Sequence, residues 1–166
     1  MNKALMKQSS TLFLKATLCL IAVGALAGMI WFPQTEGRAA NLDLINIYAD
    51  PFIIYNYIAS TPFFVGLHQA FKLLNLIDAN KAFSQAAVNT LKNMKLASLS
   101  LIGFIALALF YIRFFAPLGV DDDPAGPTML GIVMSLAFGV VATAAGVFQK
   151  LLQNAVDIKS ENDLTV

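Results

Sequence analysis

Four long apolar runs alternate with polar segments along the chain. They cover residues 16–32, 50–71, 96–115 and 127–148. A helix rises about 1.5 Å per residue and the hydrocarbon core of a bilayer is about 30 Å thick, so each run is long enough, or nearly so, to cross a membrane. The pattern predicts an all-α integral membrane protein that forms a single four-span domain over residues 1–166.

The polar segments contain signals for helix starts and breaks. Residues 42–48 predict a short interfacial helix, and Asp50 followed by Pro51 predicts a new start with Asp50 as N-cap. The helix of the second run is expected to continue past the membrane and to break near residues 78–80. Ser84 is a further N-cap, which predicts an interfacial helix over about residues 84–95 that merges into the third run.

All of the lysines fall on one side of the four runs, whereas Arg38 and Arg113 are the basic residues on the other. The positive-inside rule therefore predicts an antiparallel four-helix transmembrane bundle with both termini cytoplasmic. The nine lysines are Lys3, Lys7, Lys15, Lys72, Lys81, Lys92, Lys95, Lys150 and Lys159.

Composition agrees with a membrane protein and excludes several functions. Charged residues make up 13% of the chain, against about 25% in soluble domains. A net charge of +1 provides no basic field for direct nucleic-acid binding. Cys19 is the single cysteine, so no intrachain disulfide can form. The first run resembles a signal peptide, but its length and aromatic end at residues 31–33 favour a retained span.

No catalytic or metal-binding pattern emerges. The chain has no Ser–His–Asp set, nucleotide-binding glycine loop or paired intramembrane carboxylates, so we expect a non-enzyme without catalytic residues, cofactor or metal. The acids at 121–123 lack the spacing of a calcium loop and are interpreted as a solvated turn.

A polar pocket is one hypothesis for the second run. Asn56, Tyr55 and His68 are the residues that would line it, together with the nearby tyrosines Tyr48 and Tyr57. Helix–helix hydrogen bonding by Asn56, and an interfacial position for His68, are the alternatives.

Small residues recur at helical spacing in the first and fourth runs, which permits close helix packing. Packing within the bundle, with the first span against the fourth, is expected; a homodimer seam, and thus an oligomer, is the alternative. These residues are Gly24, Gly28, Gly131, Ser135 and Gly139.

Several segments together resemble a known family. They are STLFLK (10–15), WFP (31–33), QAFKLL (69–74), IDANKAFS (77–84), QKLLQNA (149–155) and IKSENDLTV (158–166). Over essentially its whole length the chain resembles the YoaS-like family of small bacterial four-span membrane proteins of unknown function. The resemblance implies a bacterial cytoplasmic membrane and no established catalytic residues. Genes of that family often neighbour one for a small helix-turn-helix regulator, which implies a cytoplasmic regulatory partner.

The leading hypothesis is a non-enzymatic regulatory or interaction protein that is embedded in the lipid bilayer and acts through its cytoplasmic face. The alternatives are a small transporter or binder of lipid or a hydrophobic molecule, and an immunity or envelope-stress protein. The residues expected on the partner surface are Gln69, Lys72, Asp78, Asn80, Lys81, Lys92, Gln149, Lys150 and Asn154.

Overall fold

The chain folds into helices joined by short turns over the residues that the structure, a computed structural model, describes: 3–35, 44–115 and 125–164. The helices are α1 (Lys3–Thr35), α2 (Leu44–Tyr48), α3 (Pro51–Asp78), α4 (Gln85–Phe114) and α5 (Ala125–Leu164). The all-α prediction is confirmed. Each of the four predicted spans falls on one of the four long helices.

Three helices are long and apolar enough to cross a membrane within the described ranges. They are Ser10–Gln34 of α1, Gln85–Phe114 of α4 and Ala125–Asn162 of α5. The 28-residue α3 is not among them, because polar residues such as Asn56, His68 and Gln69 interrupt its apolar run. Three spans are therefore supported where four were predicted.

The predicted helix starts are confirmed. The Asp50 carboxylate accepts a hydrogen bond from the Phe52 N–H at 2.7 Å, with Pro51 as the first residue of α3. Ser84 has extended backbone angles, and its hydroxyl oxygen accepts from the Ala87 N–H. These caps satisfy backbone donors that have no partner within the helix.

The break between α3 and α4 also lies where the sequence predicts it. α3 ends at Asp78, and Asn80 adopts a left-handed backbone with φ of 56°, a conformation that asparagine tolerates better than most residues. The Lys81 N–H then donates to the Leu76 carbonyl at 2.8 Å, which closes the turn. Residues 85–95 form the first turns of α4, continuous with the third predicted span.

The long helices pack in chain order. α1 packs on α3, α3 on α4, and α4 on α5. Lys15, early in α1, contacts Asp78 at the end of α3, whereas the carbonyl of Met29, late in α1, contacts Tyr57 near the start of α3. Later positions in α1 therefore meet earlier positions in α3. The most buried side chains belong largely to α4, and the fully buried Thr90 donates its hydroxyl proton to the Ala86 carbonyl.

The expected packing of the first span against the fourth is wrong. Among the described residues, α1 has extensive contacts with α3 and small ones with α2, and no comparable contact with α5. The small-residue pattern predicts close approach but does not identify the partner helix. The polar contacts that fix the position of α1 are with α3. Over the described residues the four long helices are arranged in a row, and α1 and α5 do not close it into a bundle.

Candidate functional site

One end of the molecule carries most of the lysines and is referred to below as the lysine-bearing end. It consists of the C-terminal part of α3 from Gln69, the turn to α4, the first turns of α4 as far as Lys95, and α5 from Gln149 onward. The sharp turn at Asn80 returns the chain directly into α4, so the two helix ends lie side by side.

Two glutamines connect the first turn of α4 to α5. The Gln85 side-chain amide donates to the Gln153 Oε1 at 3.2 Å, and the Gln153 amide lies 3.4 Å from the Gln85 Oε1. Gln153 also donates to Asp157 Oδ1 at 2.8 Å. The two segments predicted to form a partner surface are therefore in contact with each other.

Most residues predicted for the partner surface are exposed, which suits a polar docking face. Gln69 and Gln149 are instead half-buried. The Gln69 Oε1 is buried and accepts no hydrogen bond from the described residues, an arrangement that costs free energy. The exposed members are Lys72, Asp78, Asn80, Lys81, Lys92, Lys150 and Asn154.

An ion pair attaches α1 to this end. The Lys15 Nζ lies 2.5 Å from Asp78 Oδ2, and the ion pair is partly shielded from solvent, with 20% and 29% of the two side-chain surfaces exposed. The same ammonium lies 5.7 Å from the centroid of the Phe71 ring, within range of a cation–π interaction. Lys15 thus contacts the last two turns of α3 through an ion pair with Asp78 and a cation–π interaction with Phe71.

A cavity of about 480 Å³ lies between α1 and α3. Its volume falls in the range of small-molecule sites. Asn56 lines it together with Gly28 and Pro33, and most of the remaining lining is apolar. The cavity thus contains two residues of the predicted polar pocket, Asn56 and Tyr57, and adds Ser60, which the sequence hypothesis did not include.

Tyr55 and His68, which were also predicted to line the pocket, lie outside this cavity. Tyr55 faces α4, where its hydroxyl donates to the Phe104 carbonyl at 2.5 Å and its ring packs edge-on against the Phe104 ring. His68 is exposed and lies 12 residues further along α3 than Asn56, about 18 Å away along the helix axis. Asn56, Tyr55 and His68 therefore do not line a common cavity.

A hydrogen bond that sequence reasoning missed connects Tyr57 to α1. Pro33 lies inside α1 and has no N–H, so the Met29 carbonyl four residues earlier loses its helical donor. The Tyr57 hydroxyl donates to that carbonyl at 2.8 Å. Tyr48 makes a parallel contact with the Ile30 carbonyl, also at 2.8 Å. Pro33, directly after the first apolar run, was the sequence signal that a neighbouring helix must supply a hydrogen-bond donor.

The predicted packing glycines occupy unlike environments. A Cβ at Gly131 would lie 2.8 Å from Leu109 Cδ1, whereas a Cβ at Gly24, Gly28 or Gly139 would have no atom within 4 Å. Gly131 is therefore the member of this set at which α4 and α5 approach most closely.

Metal ligands do not cluster in the described part of the chain: no three His, Cys, Asp or Glu side chains lie close enough to hold an ion there. Cys19 is exposed on α1. The acids at 121–123, interpreted as a solvated turn, lie outside the described residues.

Comparison with known proteins identifies a family and a bacterial relative. The profile of a family described as a protein of unknown function, DUF2975, matches residues 34–166. An uncharacterized membrane protein, YoaS of Bacillus subtilis (strain 168), is 42% identical over 163 residues, which cover 97% of this chain and all of the relative. No solved structure matches.

Proposed function

Because the chain belongs to the DUF2975 family of membrane proteins of unknown function, we propose its role from its own geometry: it is a non-enzymatic interaction protein whose lysine-bearing end binds a protein partner. The observation that carries the proposal is the reciprocal Gln85–Gln153 contact, which joins two separate polar segments into one continuous surface. A surface built from distant parts of the chain suits the binding of a folded partner.

The topology that accompanies this proposal is an antiparallel four-span arrangement in the bacterial cytoplasmic membrane, with both termini and the lysine-bearing end in the cytoplasm. The one-sided lysines support this orientation. α3 would be the fourth span, since it contacts α1 from Asp78 at one end to Tyr57 towards the other. At about 42 Å, its 28 residues are long enough to cross.

Cysteine labelling tests this topology directly. In a Cys19→Ser background, Ala49→Cys, Lys81→Cys and Ser160→Cys are introduced singly and treated with a membrane-impermeant maleimide in cells and in lysed cells. We expect Ala49→Cys to react in intact cells, and the other two only after lysis. If Ala49→Cys and Lys81→Cys react from the same side, α3 does not cross and the four-span proposal is wrong.

The charge of the surface restricts the partner. Lys72, Lys81, Lys92 and Lys150 are all exposed, so an acidic protein face is complementary. We propose that the partner is a small helix-turn-helix regulator. It would use a face other than its basic DNA-binding surface.

Charge reversal tests the surface. The full-length protein in nanodiscs is immobilised, and the purified regulator encoded by the neighbouring gene is passed over it. Lys81→Glu combined with Lys92→Glu is expected to weaken binding at least tenfold. Arg113→Glu, at the opposite end of α4 and also exposed, is the matched control and should retain the affinity. No binding by the unaltered protein, or equal losses in both variants, contradicts the proposal.

A second candidate function, the binding of a hydrophobic molecule, is favoured by the cavity between α1 and α3. It combines apolar walls with the Asn56 amide, which suits an acyl chain or small lipid with one polar group. Gly28→Leu would fill the cavity, while Gly139→Leu adds the same side chain on α5 away from it. Loss of a fluorescent fatty acid from the first variant alone supports this function, and equal binding by both excludes the cavity as its site.

A further inference from the structure

Two lysines without an acidic partner line a groove between α4 and α5. Lys95 of α4 and Lys150 of α5 belong to the wall of a 310 Å³ cavity. α4 contains no Asp or Glu, and the first acid of α5, Asp157, lies seven residues beyond Lys150 and is bound by Gln153. In the described part of the chain, neither lysine forms an ion pair. The groove therefore has two positive charges that no residue of the described chain compensates.

Gly146 determines the path of the Lys95 side chain. A Cβ at position 146 would lie 3.4 Å from Lys95 Cδ, 3.7 Å from Cε and 3.8 Å from Nζ. The Lys95 stem thus crosses the surface of α5 at the place where α5 has no side chain, and Lys95 is half-buried. Its ammonium group is held beside α5, one helical turn from Lys150.

The rest of the groove is largely apolar. Leu99 lies one turn along α4 from Lys95, and Val147 lies beside Gly146 on α5. Thr143 also contributes to the wall, but its hydroxyl donates to the Gly139 carbonyl at 2.8 Å. The two ammonium groups are therefore the donors that the groove offers to a ligand.

The positions of the two lysines at the ends of apolar runs indicate that the groove would lie where the headgroups of a bilayer meet the hydrocarbon. Lys95 immediately precedes the apolar run 96–115, and Lys150 closely follows the run 127–148. Both runs belong to helices that are long and apolar enough to span a membrane. Basic pockets between transmembrane helices at this depth are suited to anionic lipid headgroups.

We propose that this groove binds the phosphate of an anionic phospholipid. The phosphate lies between the Lys95 and Lys150 ammonium groups, and an acyl chain lies against Leu99 and Val147. A soluble phosphate ion could also contact the two ammonium groups, but unlike a phospholipid it has no acyl chain to pack against the apolar walls. The groove lies within the lysine-bearing end and shares Lys150 with the proposed partner surface. Lipid binding there requires neither the protein partner nor a particular face of the membrane.

Lipid titration measured by native mass spectrometry tests the site. The full-length protein is purified in detergent, delipidated and titrated with phosphatidylglycerol or phosphatidylcholine. A lysine near a membrane surface improves the binding of anionic lipid about fivefold, so two give about 25-fold. We expect a preference of that order for phosphatidylglycerol, and its loss when Lys95→Gln and Lys150→Gln are combined.

Three further variants distinguish binding in the groove from attraction by general surface charge. Lys72→Gln with Lys81→Gln removes the same charge from exposed positions outside the groove and should retain the preference. Gly146→Leu keeps every charge but occupies the space of the Lys95 stem, and should reduce the preference at least fivefold. Lys150→Gln alone, at an exposed position that folding tolerates, should reduce it about fivefold if the double variant does not fold.

Several results would overturn the proposal. One is the absence of a preference for phosphatidylglycerol in the unaltered protein. Another is an equal loss of that preference in the two double-lysine variants. A third is an unchanged preference in both Gly146→Leu and Lys150→Gln. A third titration uses inorganic phosphate in phosphatidylcholine nanodiscs. Phosphate binding that requires Lys95 and Lys150, without a preference for phosphatidylglycerol, would show that the ligand is a soluble anion and not a lipid.

Discussion

The Tyr57 hydroxyl is predicted to stabilise the protein chiefly because Pro33 leaves a carbonyl without a donor. Tyr57→Phe removes the hydrogen bond to the Met29 carbonyl and changes nothing else in the ring. Hydrogen bonds between membrane helices contribute about 0.6 kcal/mol on average and about 1.7 kcal/mol at most. An unsatisfied buried acceptor costs about 1–3 kcal/mol. We therefore expect Tyr57→Phe to lower the free energy of unfolding by about 1–2 kcal/mol.

A double-mutant cycle isolates the contribution of the proline. Pro33→Ala restores the N–H that a helix directs at the carbonyl of residue 29. In that background Tyr57→Phe should cost about 0.6 kcal/mol or less, because the Met29 carbonyl keeps a donor. The assay is unfolding in mixed micelles, followed by steric trapping or by circular dichroism during titration with a denaturing detergent.

Tyr48→Phe is the matched control for this cycle. The Tyr48 hydroxyl also donates to a carbonyl of α1, that of Ile30, but the residue four positions after Ile30 is Gln34, which has a backbone N–H. The cost of Tyr48→Phe should therefore be similar with and without Pro33. If Tyr57→Phe costs the same in both backgrounds to within about 0.3 kcal/mol, the proline does not explain the bond, and the reasoning fails.

Four further substitutions have defined outcomes in the same unfolding assay. Gln69→Leu removes a buried acceptor without a partner and should raise the free energy of unfolding by about 1–2 kcal/mol; a loss of stability would mean that the amide has a partner. Gly131→Ala should cost about 1–3 kcal/mol through its clash with α4, whereas Gly139→Ala should be neutral or stabilise by about 1 kcal/mol, and equal effects would refute this difference. Lys15→Met should cost about 1–2 kcal/mol in low salt by removing an ion pair and the contact with Phe71, and an unchanged stability would show that neither contributes.

Features encoded by a few adjacent residues could be predicted from the sequence. The caps at Asp50 and Ser84 depend on a side chain and the N–H of a residue two or three positions later, so a short segment contains the whole interaction. The break at Asn80 depends equally on local backbone preference. Apolar run length predicted the long helices for the same reason.

Contacts between distant segments could not be predicted in this way. The glycines of α1 indicate a face suited to close packing, but nothing in their spacing distinguishes α3 from α5 as the partner. Tyr55 and Tyr57 are two residues apart, so on a helix they point to different neighbours, one to α4 and the other to α1. Their assignment to a single pocket with His68 required a tertiary arrangement that the sequence alone does not contain.

The packing of the long helices in chain order has a consequence for biosynthesis. Each helix after α1 packs on the long helix that the ribosome made just before it. Assembly in the membrane can therefore follow the order of synthesis, without a helix having to wait for a late partner. A closed bundle would instead leave one face of α1 unpaired until α5 emerged. The low sequence separation of these contacts favours rapid assembly and limits the time for which partly built intermediates are exposed to misassembly.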